Sequence, residues 1–300
     1  MDRAHLAELH AFMAIAHNLS FRRAATDLKV TPSALSHALR QLEEQLDIKL
    51  VNRTTRSVSL TEAGKRLYDQ LTPVFHGLRT AVEDLNAFRE APIGTIRLNA
   101  SRLALREVLI PILSAFTREH AHIKFDVRAD DHVTDVVAEG FDAGVRFGEL
   151  VAADMIAIPL GPSFKTALVA SPKYLAAHGT PVHPRELCEH RCVNYRYPSG
   201  KGFAWEFAKG KAKFEVAVEG CITVDDLDLV LRAAIEGAGI GYVFEQQAKD
   251  YVARGKLELL MPEWCPTDRG FHLYYPSRRN LSFSMRAFID FVRKAQKGTE

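Results

Sequence analysis

At 300 residues, with 47% hydrophobic and 25% charged side chains, the chain has an ordinary globular composition and is long enough for about two domains. A net charge of +2 excludes a uniformly basic coat for nucleic acid. The start MDRAHLAELHAF lacks the apolar run of a signal peptide, and no stretch approaches the ~20 apolar residues of a membrane span, so the expectation is a soluble cytoplasmic protein without a membrane partner, its cysteines (Cys188, Cys192, Cys221, Cys265) reduced.

Leu6, Leu9, Phe12, Met13 and Ala16 recur at helical spacing up to a corner at His17-Asn18. Ser20 is an N-cap residue, and Phe21, Ala24, Ala25 and Leu28 form the next apolar stripe. After a corner at Lys29-Val30, Thr31 caps a further helix with Pro32 at its first position, where the missing N–H costs nothing. Ala34, Leu35, Ala38, Leu39 and Leu42 form that helix's buried stripe, leaving Ser33, Ser36, His37 and Arg40 to point outward. Small alanines allow a close crossing, as in a helix-turn-helix whose second helix enters the major groove. Two helices around a short corner also occur in domains that never touch DNA, so the residues beyond Leu46 carry weight. The segment DIKLVNRTTRSVSLT alternates apolar and polar residues and reads as two short strands around Asn52–Arg56, a wing with Arg53 and Arg56 near its tip. These arginines reach a minor groove or phosphates, unless the hairpin tip is merely solvated. Between Ser20 and Tyr68 stand nine basic and five acidic side chains, an excess suited to a phosphate-facing patch.

Thr61 caps a helix running to about Glu90, in which Leu67, Leu71, Val74, Leu78, Ala81, Leu85 and Phe88 alternate four and three apart. That heptad seam indicates dimerisation, the alternative being packing on the chain's own body; Pro73 should kink or weaken it. From Thr95 the rhythm changes. Strands are expected at Thr95–Ala100, Ile123–Arg128, Ala143–Phe147, Met155–Leu160 and Lys165–Ala170. Later ones follow at Val193–Tyr195, Trp205–Phe207, Phe214–Val218, Ile222–Val224, Ile240–Phe244, Leu257–Leu260 and Phe271–Tyr275. Helices are expected at Leu103–Glu119, Val133–Glu139, Pro172–His178, Pro184–His190, Asp225–Glu236 and Ser284–Ala295. This alternation predicts a mostly parallel open α/β sheet, with the chain's end returning to a first lobe.

The run FxxxAxxxSFxxAAxxLxVTxSAxSxxLxxLExxLxxxLxxRTxRxxxLTxAG, from Phe12 to Gly64, closely resembles the LysR-type transcriptional regulators. The likeness continues through EGFDAGVRFG (Glu139–Gly148), SPKYL (Ser171–Leu175), EGAGIGYV (Glu236–Val243) and LYYPSRR (Leu273–Arg279). The resemblance implies an α/β protein with an N-terminal winged helix-turn-helix (1–60), a long linker and dimerisation helix (61–90), and a two-lobed α/β effector domain like a periplasmic binding protein (91–300). Lobe I would take about 91–161 and 268–300, lobe II about 162–267. It further implies a non-enzymatic regulator that binds pseudo-palindromic promoter DNA as a homodimer or homotetramer, without a cofactor, responds to a small effector between its lobes, and has RNA polymerase as a further candidate partner. Thr31, Pro32, Ser33, Ser36, His37 and Arg40 would belong to the DNA-reading helix and Arg53 to the wing. His37 departs from an arginine often found there, and Val51 from a phenylalanine. Pro32, Ser33, Ser36 and His37 are expected to face bases, and Arg40, with Arg22 and Arg23 of the preceding helix, to hold phosphates.

Ligands of open α/β sheets bind at the carboxyl ends of strands. That points to Ser101 and Arg102, Asp131 and His132, and Arg146 and Phe147 in the first lobe, and to Tyr195, Arg196, Phe203 and Asp225 in the second. Three arginines and a helix start at Ser101 suggest a carboxylate-bearing effector, unless the arginines pair with Asp130, Asp131 or Asp142. Cys188-x-x-x-Cys192 lacks the second ligand pair of a zinc site and is read as structural. Gly237-x-Gly239-x-Gly241 follows a helix and precedes a strand, the reverse of a dinucleotide fingerprint. The alternative to a regulator is a soluble two-lobed binding protein or enzyme with no DNA role. No catalytic constellation is found, and the missing signal peptide argues against an exported binder.

Overall fold

The computed structural model describes residues 3–53, 57–85, 93–132, 135–220, 222–268, 270–276 and 281–297. They fall into two compact units. Among them, no helix is long and apolar enough to cross a membrane.

The first unit begins with α1 (Arg3–Asn18), α2 (Phe21–Leu28) and α3 (Pro32–Leu46), followed by the wing strands β1 (Val51–Arg53) and β2 (Val58–Leu60), which pair antiparallel, and by α4 (Glu62–Asp84). Local chemistry accounts for the corner between α2 and α3. Lys29 ends α2 in the left-handed region (φ 55°), with its amide returned to Ala25 and Thr26 carbonyls. Thr31 Oγ1 then accepts the Ala34 amide at 3.2 Å. Phe12, Ile15, Ala24, Ala25, Leu35, Leu39, Leu42 and Leu50 close one core; Ala24 and Ala25, at the crossing of the helices, are essentially inaccessible.

The LTEAG stretch seats α4 on the wing. Thr61 Oγ1 accepts the Gly64 amide (3.0 Å) and donates to the Lys49 carbonyl (2.8 Å). A Cβ on Gly64 would stand 2.0 Å from the Leu50 carbonyl oxygen, so only glycine fits. The helix runs through Pro73 without interruption to Asp84, and its expected continuation to Glu90, with Phe88, lies outside the described residues. The apolar seam divides. Leu67 and Leu71 pack against the N-terminal core, whereas Val74, Leu78 and Leu85 are exposed, at 62%, 51% and 61%. Lower down α4, Arg79 (2.9 Å) and His76 (3.0 Å) reach the buried Asp142 carboxylate. That acid belongs to the 135–142 segment, which packs with this unit. The helix expected at Val133–Glu139 is instead a turn over 136–140; Val133 and Thr134 lie outside the described residues. Asp135 accepts the amides of Val137 and Ala138, and Gly140 ends the turn at φ +76°.

The second unit holds two sheets. The first has the order β4 (Ile123–Ala129), β3 (Gly94–Ala100), β5 (Ala143–Phe147), β15 (Phe271–Tyr275) and β6 (Ile156–Leu160). The second has the order β11 (Ile222–Val224), β8 (Cys192–Tyr195), β12 (Ile240–Phe244), β7 (Phe164–Ala170) and β13 (Glu258–Leu260), with β14 (Thr267–Asp268) also on β7. The sheets are mixed rather than mostly parallel. β3–β5, β11–β8 and β8–β12 are parallel, while β15 and β7 run antiparallel to their neighbours because each is a strand by which the chain enters a sheet from the other lobe. The two crossings touch: a Cβ on Gly270 (φ +81°) would lie 2.5 Å from the Pro162 carbonyl oxygen.

Helices α5 (Arg102–Ala104) and α6 (Ile110–Glu119) are joined by a π-helical turn at Leu105–Leu109, next to Pro111, whose absent N–H removes one rung of the ladder. α7 (Pro172–His178), α8 (Leu227–Ile235), α9 (Glu245–Ala253) and α10 (Phe283–Lys297) complete the layers, and Pro184–Glu189 is a 3-10 turn. A separate hairpin, β9 (Trp205–Lys209) with β10 (Ala212–Val216), lays Trp205 and Phe207 into the core under the second sheet. Helix α9 and the short β14 were not expected from sequence. α9 starts directly at the end of β12, and its run EQQAKDYVA shows no long apolar stripe.

Candidate functional site

Two surfaces carry the chemistry. On the first unit, Thr31, Pro32, Ser33, His37 and Arg40 are exposed along α3 and Arg22 and Arg23 along α2, while Ser36 is half-buried. Several of them also serve the fold. Thr31 caps α3, its hydroxyl 3.0 Å from that of Ser33, and Arg23 donates to the Asn18 carbonyl at 2.8 Å. From the wing, Arg53 Nη1 donates to Ser36 Oγ at 2.9 Å, so the wing and α3 present one continuous edge. Arg56 lies outside the described residues.

On the second unit, a cavity of about 700 Å³ opens between the two sheets, walled in part by the carboxyl ends of β3, β5, β8 and β12. Ser101, Arg102, Asp131, Arg146, Phe147, Tyr195 and Phe203 line it, as expected of strand-end residues. Arg196 and Asp225 do not. The Arg196 amide is spent on the Val224 carbonyl and the residue pairs across to Gly202, while α8 starts at Leu227, so that Asp226 rather than Asp225 faces the cavity and caps the helix by accepting the Asp228 amide at 2.7 Å. His132 is also outside the wall; its ring and amide bond the Asp130 carboxylate (2.7 and 3.0 Å), which they hold below the usual range although burial pushes the other way.

Two of the three arginines expected to attract an anion are already engaged. Arg102 pairs with Asp131 through both its guanidinium and its amide, and this hydrogen bond, reinforced by the charge of Asp131, raises the guanidinium above its usual value. Arg146, 2% exposed, donates to the carbonyls of Val145 (2.8 Å), Asp130 (2.9 Å) and His132 (2.7 Å) and to the Asn99 amide oxygen. It clamps β3, β5 and the loop after β4. Sequence reading did not foresee Arg106, which leaves the π-helical turn and bridges the cavity to Asp228 at the start of α8. Nor did it foresee the aromatic ceiling of Tyr197, Tyr242 and Phe244, or the pair Glu206 and Lys213 from the β9–β10 hairpin. Only the alternation of that hairpin hinted that one of its faces looks inward. Phe147 and Phe244, at strand ends in opposite sheets, stack at 5.3 Å. Burial, then the charge of Asp131, pushes the Tyr195 phenol up to about 12, leaving a neutral hydroxyl in the wall.

The thiols stand apart from both surfaces. Cys192 and Cys265 are buried and Cys188 is exposed; Cys221 lies outside the described residues. Burial pushes the Cys192 thiol up to about 12.

Comparison with known proteins bears on both surfaces. Residues 6–65 match the bacterial regulatory helix-turn-helix protein of the lysR family, and residues 89–297 match the LysR substrate binding domain. The chain belongs to the LysR family of bacterial regulators. It is similar to the HTH-type transcriptional regulator YcaN of Escherichia coli (strain K12), 45% identical with 98% of this chain and 96% of YcaN covered. To PgrR of the same organism it is 38% identical, with 98% of each chain covered. Among solved structures, the full-length virulence activator AphB of Vibrio cholerae, of the same family, superposes with a TM-score of 0.67 at 26% identity, covering 96% of this chain and 98% of AphB. As a LysR-type protein, this chain is a DNA-binding transcriptional regulator with an effector-binding domain and not an enzyme. LysR regulators bind DNA and small-molecule effectors and form oligomers. The reading as a binding protein or enzyme without a DNA role is thereby set aside.

Proposed function

We propose that this LysR regulator reads promoter DNA with α3 and its wing and takes its effector in the cavity between the two sheets. The DNA-facing set is Ser33, Ser36, His37 and Arg40 with Arg53, backed by Arg22 and Arg23 on phosphates. The observation that carries this is the Arg53–Ser36 hydrogen bond, which holds a wing cation beside the exposed edge of α3. The exposed run Val74, Leu78 and Leu85 on α4 is the dimerisation surface of a homodimer or homotetramer, with Leu67 and Leu71 reserved for the N-terminal core. The division into 1–60, 61–90 and 91–300 follows these roles. The protein works in the cytoplasm, at promoters where RNA polymerase is its further partner.

A salt-titrated gel shift on the DNA flanking its own coding region tests this. The expected result is a site-preferring complex whose affinity falls steeply with salt and whose mobility or affinity changes when the cavity is blocked by Ala157→Trp. Equal binding to every tested DNA would overturn the DNA-reading assignment; an unchanged complex with Ala157→Trp would overturn the cavity's role.

A further inference from the structure

The charges around the cavity differ in what they already hold. Arg102 is matched by Asp131, Arg106 by Asp228, and Arg146 is given over to carbonyl oxygens, while Asp226 caps α8. Two charged side chains in the wall hold nothing: Glu206 and Lys213. Among the described residues, neither side chain has an ion-pair or hydrogen-bond partner. Both come from the β9–β10 hairpin, whose register sets Glu206 opposite Glu215 and Lys213 opposite Ala208. Opposed residues share a face, as do residues two apart, so Glu206 and Lys213 rise from the same face as diagonal neighbours, roughly 7–8 Å apart at their Cα atoms. The other face carries the buried Trp205 and Phe207, which fixes the hairpin's orientation. Glu206 is half-buried and Lys213 stands exposed at the rim; Glu215 shares their face and is likewise exposed, but lies outside the wall. Beside the two charges, Phe203 packs on Tyr242 at 5.5 Å and on Tyr195 at 6.4 Å, an aromatic surface inside the same cavity.

We propose that the effector is a small zwitterion of the free amino-acid class, its carboxylate on Lys213, its ammonium on Glu206 and an apolar side chain against Phe203 and Tyr242. This rests on the assignment of the cavity as the effector site. A ligand carrying only a carboxylate would close the cavity over the half-buried Glu206 and leave it desolvated without a partner, which is penalised more than a missing contact, and one carrying only an ammonium would leave the Lys213 charge at the rim unused. The wall as a whole is also balanced, with Arg102, Arg106, Arg146 and Lys213 against Asp131, Glu206, Asp226 and Asp228, and so favours a ligand of no net charge.

The test is calorimetric titration of the full-length protein with L-phenylalanine, L-leucine and L-methionine, each beside its deaminated and its decarboxylated counterpart (3-phenylpropionate and 2-phenylethylamine for phenylalanine). At least one amino acid should bind, with both counterparts at least tenfold weaker. Lys213→Met and Glu206→Gln should each weaken that amino acid at least tenfold, and Glu206→Gln should also narrow the gap to the deaminated acid. Binding of no amino acid, or equal binding of an acid or amine lacking one charge, overturns the zwitterion. Ala157→Trp separates this from the cavity assignment. If the acid matches the amino acid and the blocked variant loses both, the cavity stands and the zwitterion falls. If amino-acid binding survives the block, the cavity assignment falls and takes the inference with it.

Discussion

Arg53 of the wing donates to the Ser36 hydroxyl of α3 over 2.9 Å, a contact between residues 17 apart in the chain. The bond orients an exposed guanidinium and sets it beside the edge of α3 proposed to read DNA. Arg53→Ala should therefore weaken DNA binding, lower the slope of log affinity against log salt by about one, and leave effector affinity unchanged. An exposed hydrogen bond of this kind contributes only about 1 kcal/mol to folding, so the melting temperature should barely move. Loss of both DNA and effector binding in the variant would show that the arginine supports the fold instead.

Gly64 is held by space, not by flexibility. With the Leu50 carbonyl oxygen 2.0 Å from where a Cβ would stand, Gly64→Ala must push α4 away from the wing. The expected loss is about 1–3 kcal/mol of stability, the usual cost of forcing an extra carbon into a packed contact. Thermal unfolding followed by circular dichroism measures it; a variant as stable as the parent would mean that α4 can shift without cost.

Among the described residues, nothing in its own unit covers the lower half of the α4 seam. Val74 and Leu78 are 62% and 51% exposed, and neither is needed by the N-terminal core. A Val74→Glu, Leu78→Glu double variant should sediment as a monomer and lose cooperative binding to paired half-sites while its helix content stays native. The equivalent change at Leu71, which packs against that core, should unfold the DNA-binding part instead. Sedimentation velocity separates the two outcomes.

Burial decides which thiols react. The folded state keeps the Cys192 proton until about pH 12, whereas an unfolded thiol releases it near the ordinary value of 9.0. The unfolded state then binds fewer protons between those values, so this group's contribution to stability is constant below about pH 9 and declines as pH rises toward 12. At pH 8, iodoacetamide should modify the exposed Cys188 quickly and reach Cys192 and Cys265 only after unfolding, as read by peptide mass spectrometry. Rapid native labelling of Cys192 would contradict its burial.

Much of the architecture was legible in the residues because its causes are local. Ser20, Thr31 and Pro32 sit within three residues of the amides they cap or the turn they start, and the apolar spacing of α1, α3 and α6 spans a few turns. Apart from the two-residue β14, the strands of both sheets were visible for the same reason, as short β-branched runs between turns. Where reading failed, the causes were again specific. The turn at 136–140 looked helical until Gly140 took a positive φ, and α9 hid behind a polar sequence with few buried positions.

The candidate cavity divides the two kinds of information most clearly. By itself the sequence pointed to the strand ends, since these follow from local pattern and α/β order; of the residues it named, Ser101, Arg102, Asp131, Arg146, Phe147 and Phe203 line the cavity, while Arg196 and Asp225 do not. Only the tertiary structure decided what those charges do. Arg102 meets Asp131 from 29 residues away, Arg146 meets the Asn99 side chain from 47, and Arg106 of the π-helical turn meets Asp228 of α8. Whether a charge is spent or available depends on partners brought together by packing, and no periodicity along the chain encodes that. The β9–β10 register set Glu206 and Lys213 on one face in the cavity wall, the pair of opposite charges on which the proposed effector is placed.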